Sequence, residues 1–193
     1  TLNSTTNFGN GNHANNFVMM NSSVDGGDQN VNFRGNGAGF PGPASTNGWN
    51  MNNHFIGNTF TNADDIAVSL DDQDGAVVQG NTISNLRTTS TFTGYGIQMP
   101  DGMNFKITAN NIVVPYTGIY VANANSNASG TRIGFSEVSN NMVSCNINSG
   151  IWLQRPVKVN IWNNSVYCGS TSGFDAALYL DDGFGTPAMD SLD

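Results

Sequence analysis

Two pairs of carboxylates are the first candidates for chemistry in this sequence. Asp64 and Asp65 stand directly before the apolar residues of a predicted strand, and paired carboxylates are the groups with which glycoside hydrolases donate a proton and activate water. Asp72 and Asp74 lie in an acidic turn that ends in glycine, where their oxygen atoms could bind Ca²⁺. The alternative for both pairs is that they are solvated turn residues that bind nothing. No cofactor other than this calcium candidate is predicted.

Three aromatic residues are candidates for ligand binding because they share one position in similar segments. Tyr120, Trp152 and Tyr179 each lie between two apolar residues, and in a strand with one buried face the middle residue points outward. A contiguous exposed strip of such rings usually contacts a partner, and rings of this kind stack on sugars. We therefore predict a glycan-binding face; a loop that covers the rings is the open alternative. Earlier copies of the segment have Asn50, Ala67 and Gln98 at this position.

An internal repeat must position these side chains. The pattern apolar-x-x-Asn-x-apolar recurs six times, and its asparagines are Asn36, Asn58, Asn81, Asn110, Asn141 and Asn164. The copies alternate with the apolar-x-apolar segments, whose period is that of a strand with one buried face. Asparagine suits the bend between two strands, and amides stacked from copy to copy can form a hydrogen-bonded ladder.

This alternation predicts an all-β chain, a right-handed parallel β-helix of about seven rungs. Each rung cannot bury its inner face alone, whereas parallel stacking buries one continuous core. We predict a single segment over residues 1–193, with an irregular first rung in 1–30, regular rungs in 31–182 and the start of another in 183–193. Longer steps between copies predict loop insertions near 87–94 and 122–134. The segment is expected to be part of a longer chain.

The two cysteines are predicted to stack. Cys145 and Cys168 are 23 residues apart, the same step that separates Asn141 from Asn164. Equivalent positions in adjacent rungs place Cα atoms about 5 Å apart, within the range that a disulfide needs. We predict a disulfide, and a reduced pair packed as small apolar residues is the alternative.

Composition excludes several function classes. The net charge is −8 with only six basic residues, whereas nucleic acid and anionic membranes both need clustered Lys and Arg. No apolar stretch reaches the 18 or so residues of a membrane span.

The stretch from about Phe55 to Asp182 resembles the right-handed parallel β-helix repeats of the pectate-lyase superfold. It is similar in particular to large surface proteins of Bacteroidetes-type bacteria. The matching stretches are 71–85, 95–98, 116–120 and 161–167. The resemblance implies export by the type IX system, a location outside the cell or on its surface, and surface glycans or other cell-surface and secretion proteins as partners. Asp190-Ser191-Leu192 also fits the short motif on which such bacteria attach O-glycans, at Ser191.

The same superfold contains polysaccharide lyases and glycoside hydrolases, so an enzyme is the alternative function. The polygalacturonases also carry Gly-His-Gly one rung after their paired aspartates and Arg-x-Lys beyond it, and neither motif follows Asp64 and Asp65 here. The lyases cluster Lys and Arg at their site, whereas Lys106 and Lys158 are predicted two rungs apart. We therefore expect a non-catalytic structural or adhesive stalk, with a glycan-binding face as a further expectation.

Overall fold

The computed structural model describes residues 14–35, 49–87, 94–125, 134–169 and 176–181. Over these ranges the chain is all-β and has no helix, and so none that is long and apolar enough to cross a membrane. The first ten strands are β1 (Val18–Met20), β2 (Ser23–Asp25), β3 (Gln29–Phe33), β4 (Asn50–Met51), β5 (His54–Ile56), β6 (Thr59–Thr61), β7 (Ile66–Leu70), β8 (Gln73–Asp74), β9 (Val77–Gln79) and β10 (Thr82–Ser84). The others are β11 (Tyr95–Met99), β12 (Gly102–Met103), β13 (Lys106–Thr108), β14 (Asn111–Val114), β15 (Thr117–Ala122), β16 (Ser136–Ser139), β17 (Met142–Cys145), β18 (Ser149–Gln154), β19 (Val159–Trp162), β20 (Ser165–Cys168) and β21 (Ala176–Asp181).

The strands form parallel sheets that the chain visits in turn. Sheet A contains β1, β5, β9, β13, β16 and β19; sheet B contains β2, β6, β10, β14, β17 and β20; sheet C contains β3, β7, β11, β15, β18 and β21. The short strands β4, β8 and β12 form sheet D. The pairings are parallel and in register. We call each passage through sheets A, B and C a repeat, and this order is compatible with a parallel β-helix.

Two columns of apolar side chains form the core, as the repeat predicts. In sheet A the aligned residues are Phe55, Val78, Ile107, Val138 and Ile161. In sheet B they are Phe60, Ile83, Ile112, Val143 and Val166. Both columns belong to one hydrophobic cluster, and each fully buried side chain contributes about 1.5–3 kcal/mol. Stacking of the repeats therefore follows from apolar residues that recur on the inner face.

Asparagine side chains link neighbouring repeats at the bend between sheets A and B. Asn58, Asn81, Asn110, Asn141 and Asn164 occupy equivalent bends, and the first four donate their side-chain Nδ2–H to the Oδ1 atom of the next. Each backbone N–H of these four also donates to that Oδ1 atom. The left-handed backbone, however, lies one residue earlier, as at Gly57, Ala109 and Asn140. The ladder position therefore serves side-chain hydrogen bonding, and the residue before it makes the turn.

The first repeat differs from the prediction. Phe33 lies in sheet C opposite Leu70, so it is not the counterpart of Phe55, which pairs with Met19 in sheet A. The residue at the ladder position is Ser22, whose backbone N–H donates to Oδ1 of Asn58 at 3.0 Å. Asn36, the predicted first member of the ladder, lies outside the described residues.

In three strands of sheet C, β11, β15 and β18, the second residue is a glycine that faces inward. Gly96, Gly118 and Gly150 are buried, and a Cβ atom at Gly118 would collide with Cγ1 of Val143 and the carbonyl oxygen of Gly150. Ile97 follows Gly96 and is buried as well. Two consecutive inward residues break the alternation, so the residue before the glycine, Tyr95, lies on the outer face.

The predicted loop insertions lie largely outside the described residues. Of the insertion near 87–94, the structure describes Arg87 and Gly94; of the insertion near 122–134, it describes residues 122–125 and Gly134. Residues 122–125 are buried rather than protruding. The Nδ2 atom of Asn125 donates to the carbonyl oxygens of Val157 and Lys158, so the start of this insertion is held against a neighbouring repeat.

The cysteines are direct neighbours across sheet B. Cys145 in β17 pairs in register with Cys168 in β20, as their spacing predicts. The structure leaves both as thiols, and Sγ of Cys168 lies 3.1 Å from the carbonyl oxygen of Asn148. Cα atoms on adjacent strands, about 4.8 Å apart, are within the range for a disulfide.

We expect these thiols to form a disulfide when the protein is purified without reductant. Intact mass spectrometry should then show a loss of two hydrogens, and neither cysteine should react with iodoacetamide in denaturant until a reductant is added. Cys145→Ser is the control, because it must leave one alkylated thiol. Complete alkylation of both residues in the unreduced wild-type protein would show that the pair is packed in its reduced form.

Candidate functional site

A column of aromatic rings runs across the outer face of sheet C. Tyr120, Trp152 and Tyr179 align in register, and the ring centroids of neighbours lie 4.7 and 5.7 Å apart. Tyr95 extends the column, with its centroid 5.4 Å from that of Tyr120. Tyr179 is 40% exposed and the other three are half-buried. The strip is therefore continuous over four repeats, and we call it the aromatic column.

Two of the three earlier outward positions differ from the prediction, whereas Gln98 aligns with Tyr120 as predicted. Asn50 lies in sheet D opposite Gln73, and Ala67 is fully buried. Val68 pairs with Ile97, so Ser69 is the residue aligned with Gln98 and Asn32 aligns with Ser69. The outer column of sheet C therefore reads Asn32, Ser69, Gln98, Tyr120, Trp152 and Tyr179, polar in its first three repeats and aromatic in its last three.

Hydrogen bonds fix one ring of the aromatic column, that of Tyr120. The Tyr120 hydroxyl donates to Oε1 of Gln154 at 3.0 Å, and Nε2 of Gln154 donates to Oδ2 of Asp181 at 3.2 Å. Burial raises the pKa of Tyr95 to about 12 and also raises the pKa of Tyr120. Both phenols are therefore neutral near pH 7, so their rings present an uncharged surface.

Three carboxylates converge beside this column, at the ends of two neighbouring strands of sheet C. Asp71 and Asp72 follow β7, and Asp101 follows β11. One oxygen atom from each carboxylate lies within 4.8 Å of the other two, and Nδ2 of Asn123 donates to Oδ1 of Asp101 at 3.0 Å. We call these three residues the carboxylate cluster. Oxygen ligands at this spacing suit Ca²⁺, although acidic clusters without an ion are common.

Burial opposes the ionisation of two members of the cluster, Asp101 and Asp71. It raises the pKa of Asp101 to about 7; the hydrogen bond from Asn123 lowers the value, and Asp71 and Asp72 raise it further. The pKa of Asp71 is also raised by burial, against the opposing effect of Arg34. With a pKa of about 7, Asp101 is partly protonated at neutral pH, which is the state that general acid catalysis requires.

The raised pKa predicts that Asp101 destabilises the fold as the pH rises. Between about pH 4 and pH 7 the unfolded chain releases a proton that the folded protein retains, so the stability present at acid pH is lost as the pH rises through this window. We expect Asp101→Asn, which can still accept from Asn123, to gain on the order of 1–2 kcal/mol over wild type at pH 8 and nothing at pH 4. Urea unfolding at both pH values measures the difference. Asp28→Asn, at an exposed position, is the control, and an equal gain in both variants would contradict the prediction.

The other predicted site residues lie apart from the cluster. Asp64 forms an exposed ion pair with Arg87 at 3.1 Å. Asp65 precedes β7, at the opposite edge of sheet C from the cluster and near Tyr95. Asp74 belongs to β8 of sheet D, where its Oδ1 atom accepts from Nδ2 of Asn104 at 2.7 Å. Of the calcium pair, only Asp72 is therefore in the cluster. Ser191 lies outside the described residues.

Sequence reasoning missed three residues of this region. Tyr95 belongs to the aromatic column because of the irregular start of β11, and no periodic pattern indicates it. Asp101 enters the cluster because β11 pairs with β7, which brings the residues after the two strands together. Gln154 follows Leu153 as the polar residue at the end of β18, and the hydroxyl of Tyr120 was the signal that a partner was needed.

The region thus combines an uncharged aromatic platform with a carboxylate cluster at one edge. The platform offers ring faces on which sugars can stack, and the cluster offers oxygen atoms that can exchange protons or bind a cation. The chain matches no protein-family model, no curated protein and no solved structure.

Proposed function

We propose that the chain is a right-handed parallel β-helix of about seven rungs that serves as a non-catalytic structural and adhesive stalk outside the cell, and that it binds glycans on sheet C. The observation that carries the binding proposal is the aromatic column, in which four rings follow one another at 4.7–5.7 Å. Flat sugar faces stack on such rings, and a continuous apolar strip on a surface usually marks a site that contacts a partner.

The stalk part of the proposal rests on the regular stacking of the repeats. Parallel strand pairing and the asparagine ladder join each repeat to its neighbours. In an assembly of this kind, each repeat contacts only the adjacent repeats. Such a stack is a rigid spacer. The low content of charged residues, 10%, and the cysteine pair suit a location outside the cell, where disulfides persist.

Affinity electrophoresis tests the binding proposal. The protein is run through native gels that contain hydroxyethyl cellulose, xylan, mannan, methyl-esterified homogalacturonan or no polysaccharide, beside an acidic protein of similar size. We expect at least one polysaccharide to retard the protein relative to the reference. If no polysaccharide slows the protein, relative to its migration in the polysaccharide-free gel, more than it slows the reference, the proposed function is contradicted.

A polysaccharide-degrading enzyme is the second candidate, and the carboxylate cluster favours it. Asp101, with a pKa of about 7, has the property of a general acid, and Asp71 or Asp72 would supply the second carboxylate. Their spacing is closer to the short separation of retaining glycosidases than to that of inverting ones. The residues of this candidate are not Asp64 and Asp65, which lie at the opposite edge of sheet C.

We expect no depolymerisation of pectate, polygalacturonate or alginate by the purified protein. Reducing ends and unsaturated products are measured against a heat-killed sample, and the same assay is repeated on any polysaccharide that retards the protein. Release above the control that disappears in Asp101→Asn would overturn the non-catalytic proposal and support the enzyme.

A further inference from the structure

We infer that the aromatic column takes an uncharged glycan and excludes polyuronates, with the glycan chain running along the stack across the strands of sheet C. This inference rests on the proposed glycan-binding function and adds the ligand class to it. The argument depends on which groups surround the rings and on what a sugar laid on them would meet.

Carboxylates border the aromatic column at both edges of sheet C. Asp65 lies at the edge where the strands begin, and its negative charge helps to raise the pKa of Tyr95. At the opposite edge, Arg155 lowers the pKa of Tyr120, whereas Asp101 and Asp181 raise it, and Asp181 is linked to this ring through Gln154. The two edges therefore place negative charge on either side of the path that a glycan would follow.

Positive charge is scarce in the same surroundings. Several described groups shift the pKa of Tyr95, Tyr120 or Asp101 through their charge, and Arg155 is the cation among them. The carboxylates in that set are Asp65, Asp71, Asp72, Asp101 and Asp181. Arg34 lies farther along the edge, near Asp71. The net charge around the rings is therefore negative, and the net charge of the whole chain, −8, has the same sign.

A uronate bound to this face would carry one carboxylate for each sugar into that field. Like charges in such proximity repel, most strongly where the rings and the sheet displace water. A neutral sugar avoids this cost, because its hydroxyl groups need only uncharged partners. The half-buried side-chain amide of Gln98, aligned with Tyr120 on the same outward line of sheet C, is such a partner.

The direction of the glycan follows from the register. The ring centroids follow one another across the strands at close to the spacing of adjacent strands, which is about 4.8 Å. A chain laid across the strands therefore meets a new ring at each of the last four repeats, whereas a chain laid along one strand would meet a single ring.

Matched polymers test the ligand class. Hydroxyethyl cellulose is compared with carboxymethyl cellulose, and methyl-esterified homogalacturonan with its de-esterified form, so that each pair differs in charge and shares a backbone. The protein is assayed by affinity electrophoresis at low salt with EDTA and at about pH 8, where Asp101 is mostly ionised. We expect the neutral member of at least one pair to bind with a dissociation constant at least tenfold lower than that of the acidic member. About 0.5 M salt should reduce this difference because it screens the charges.

The double variant Asp65→Asn, Asp181→Asn should raise binding of the acidic member and leave binding of the neutral member within about twofold. The double variant Asp25→Asn, Glu137→Gln, which also removes two negative charges but from sheets B and A, is the matched control and should change neither. Equal or tighter binding of the acidic member by the wild-type protein would overturn this inference while glycan binding itself would hold. Absence of binding to both members of both pairs would overturn the inference, and the proposed function would fail with it only if xylan and mannan also left the protein unretarded.

Discussion

Asn110→Ala should lower the free energy of unfolding by on the order of 2–4 kcal/mol. The side chain is 1% exposed, and its Oδ1 atom accepts from the backbone N–H and the Nδ2–H of Asn81, both at 3.0 Å. Its own Nδ2 group donates to the carbonyl oxygen of Val78 and to Oδ1 of Asn141. The substitution leaves buried donors and acceptors in two neighbouring repeats without partners, and each such group costs about 1–3 kcal/mol.

Equilibrium unfolding in urea measures this effect, with Asn111→Ala as the matched control. Asn111 is the next residue, and it is exposed on the outer face of β14, so we expect its replacement to change stability by less than about 0.5 kcal/mol. Similar losses for the two variants would show that the amide ladder does not contribute to stability beyond the ordinary cost of removing an asparagine.

Trp152→Ala should weaken glycan binding by about 5- to 30-fold. Trp152 is the third of the four rings in the aromatic column, with neighbouring centroids at 4.7 Å and 5.7 Å, so its loss separates Tyr179 from Tyr95 and Tyr120. An aromatic contact of this kind contributes on the order of 1–2 kcal/mol, which corresponds to that change in the dissociation constant. Affinity electrophoresis over a series of polysaccharide concentrations gives the dissociation constants.

Trp162→Ala is the matched control for this prediction. Trp162 is 55% exposed on sheet A, where its Nε1–H donates to Oε1 of Glu137, and its removal should leave binding unchanged. Tyr179→Ala, at the exposed end of the column, provides a second variant in case Trp152→Ala is poorly folded. Equal affinity of the wild type and both column variants would contradict a role of the aromatic column in binding.

Periodic features of the sequence were sufficient to predict the core and the ladder. Phe55, Val78 and Ile107 recur at the same distance from their asparagines and align across sheet A. Cys145 and Cys168 follow the same rule. The physical reason is that the inner face of each repeat must be apolar and the polar groups of the bend must be hydrogen-bonded. Both requirements select the same residue types at the same positions of every repeat.

Register in sheet C could not be obtained from the pattern alone. Ile66, Val68 and Leu70 alternate with small residues, and a strand with a two-residue period fits a partner equally well after a shift of two. Pairing with β11 decided the choice, because Val68 lies opposite Ile97 and Ser69 is then the outward residue. The first repeat likewise lacks a ladder asparagine in the described residues, and only its pairing with β5 and β6 identifies Ser22.

The carboxylate cluster depends on the tertiary structure altogether. Asp71 and Asp101 are separated by a whole repeat of uneven length, and neither has a neighbour in sequence that indicates the other. They meet because β7 and β11 are adjacent and parallel, so the residues that follow the two strands emerge at the same edge of sheet C. The sequence by itself determined which faces are buried, since burial is required in every repeat. Convergence of side chains from different repeats was decided by strand pairing and by the lengths of the connections between strands.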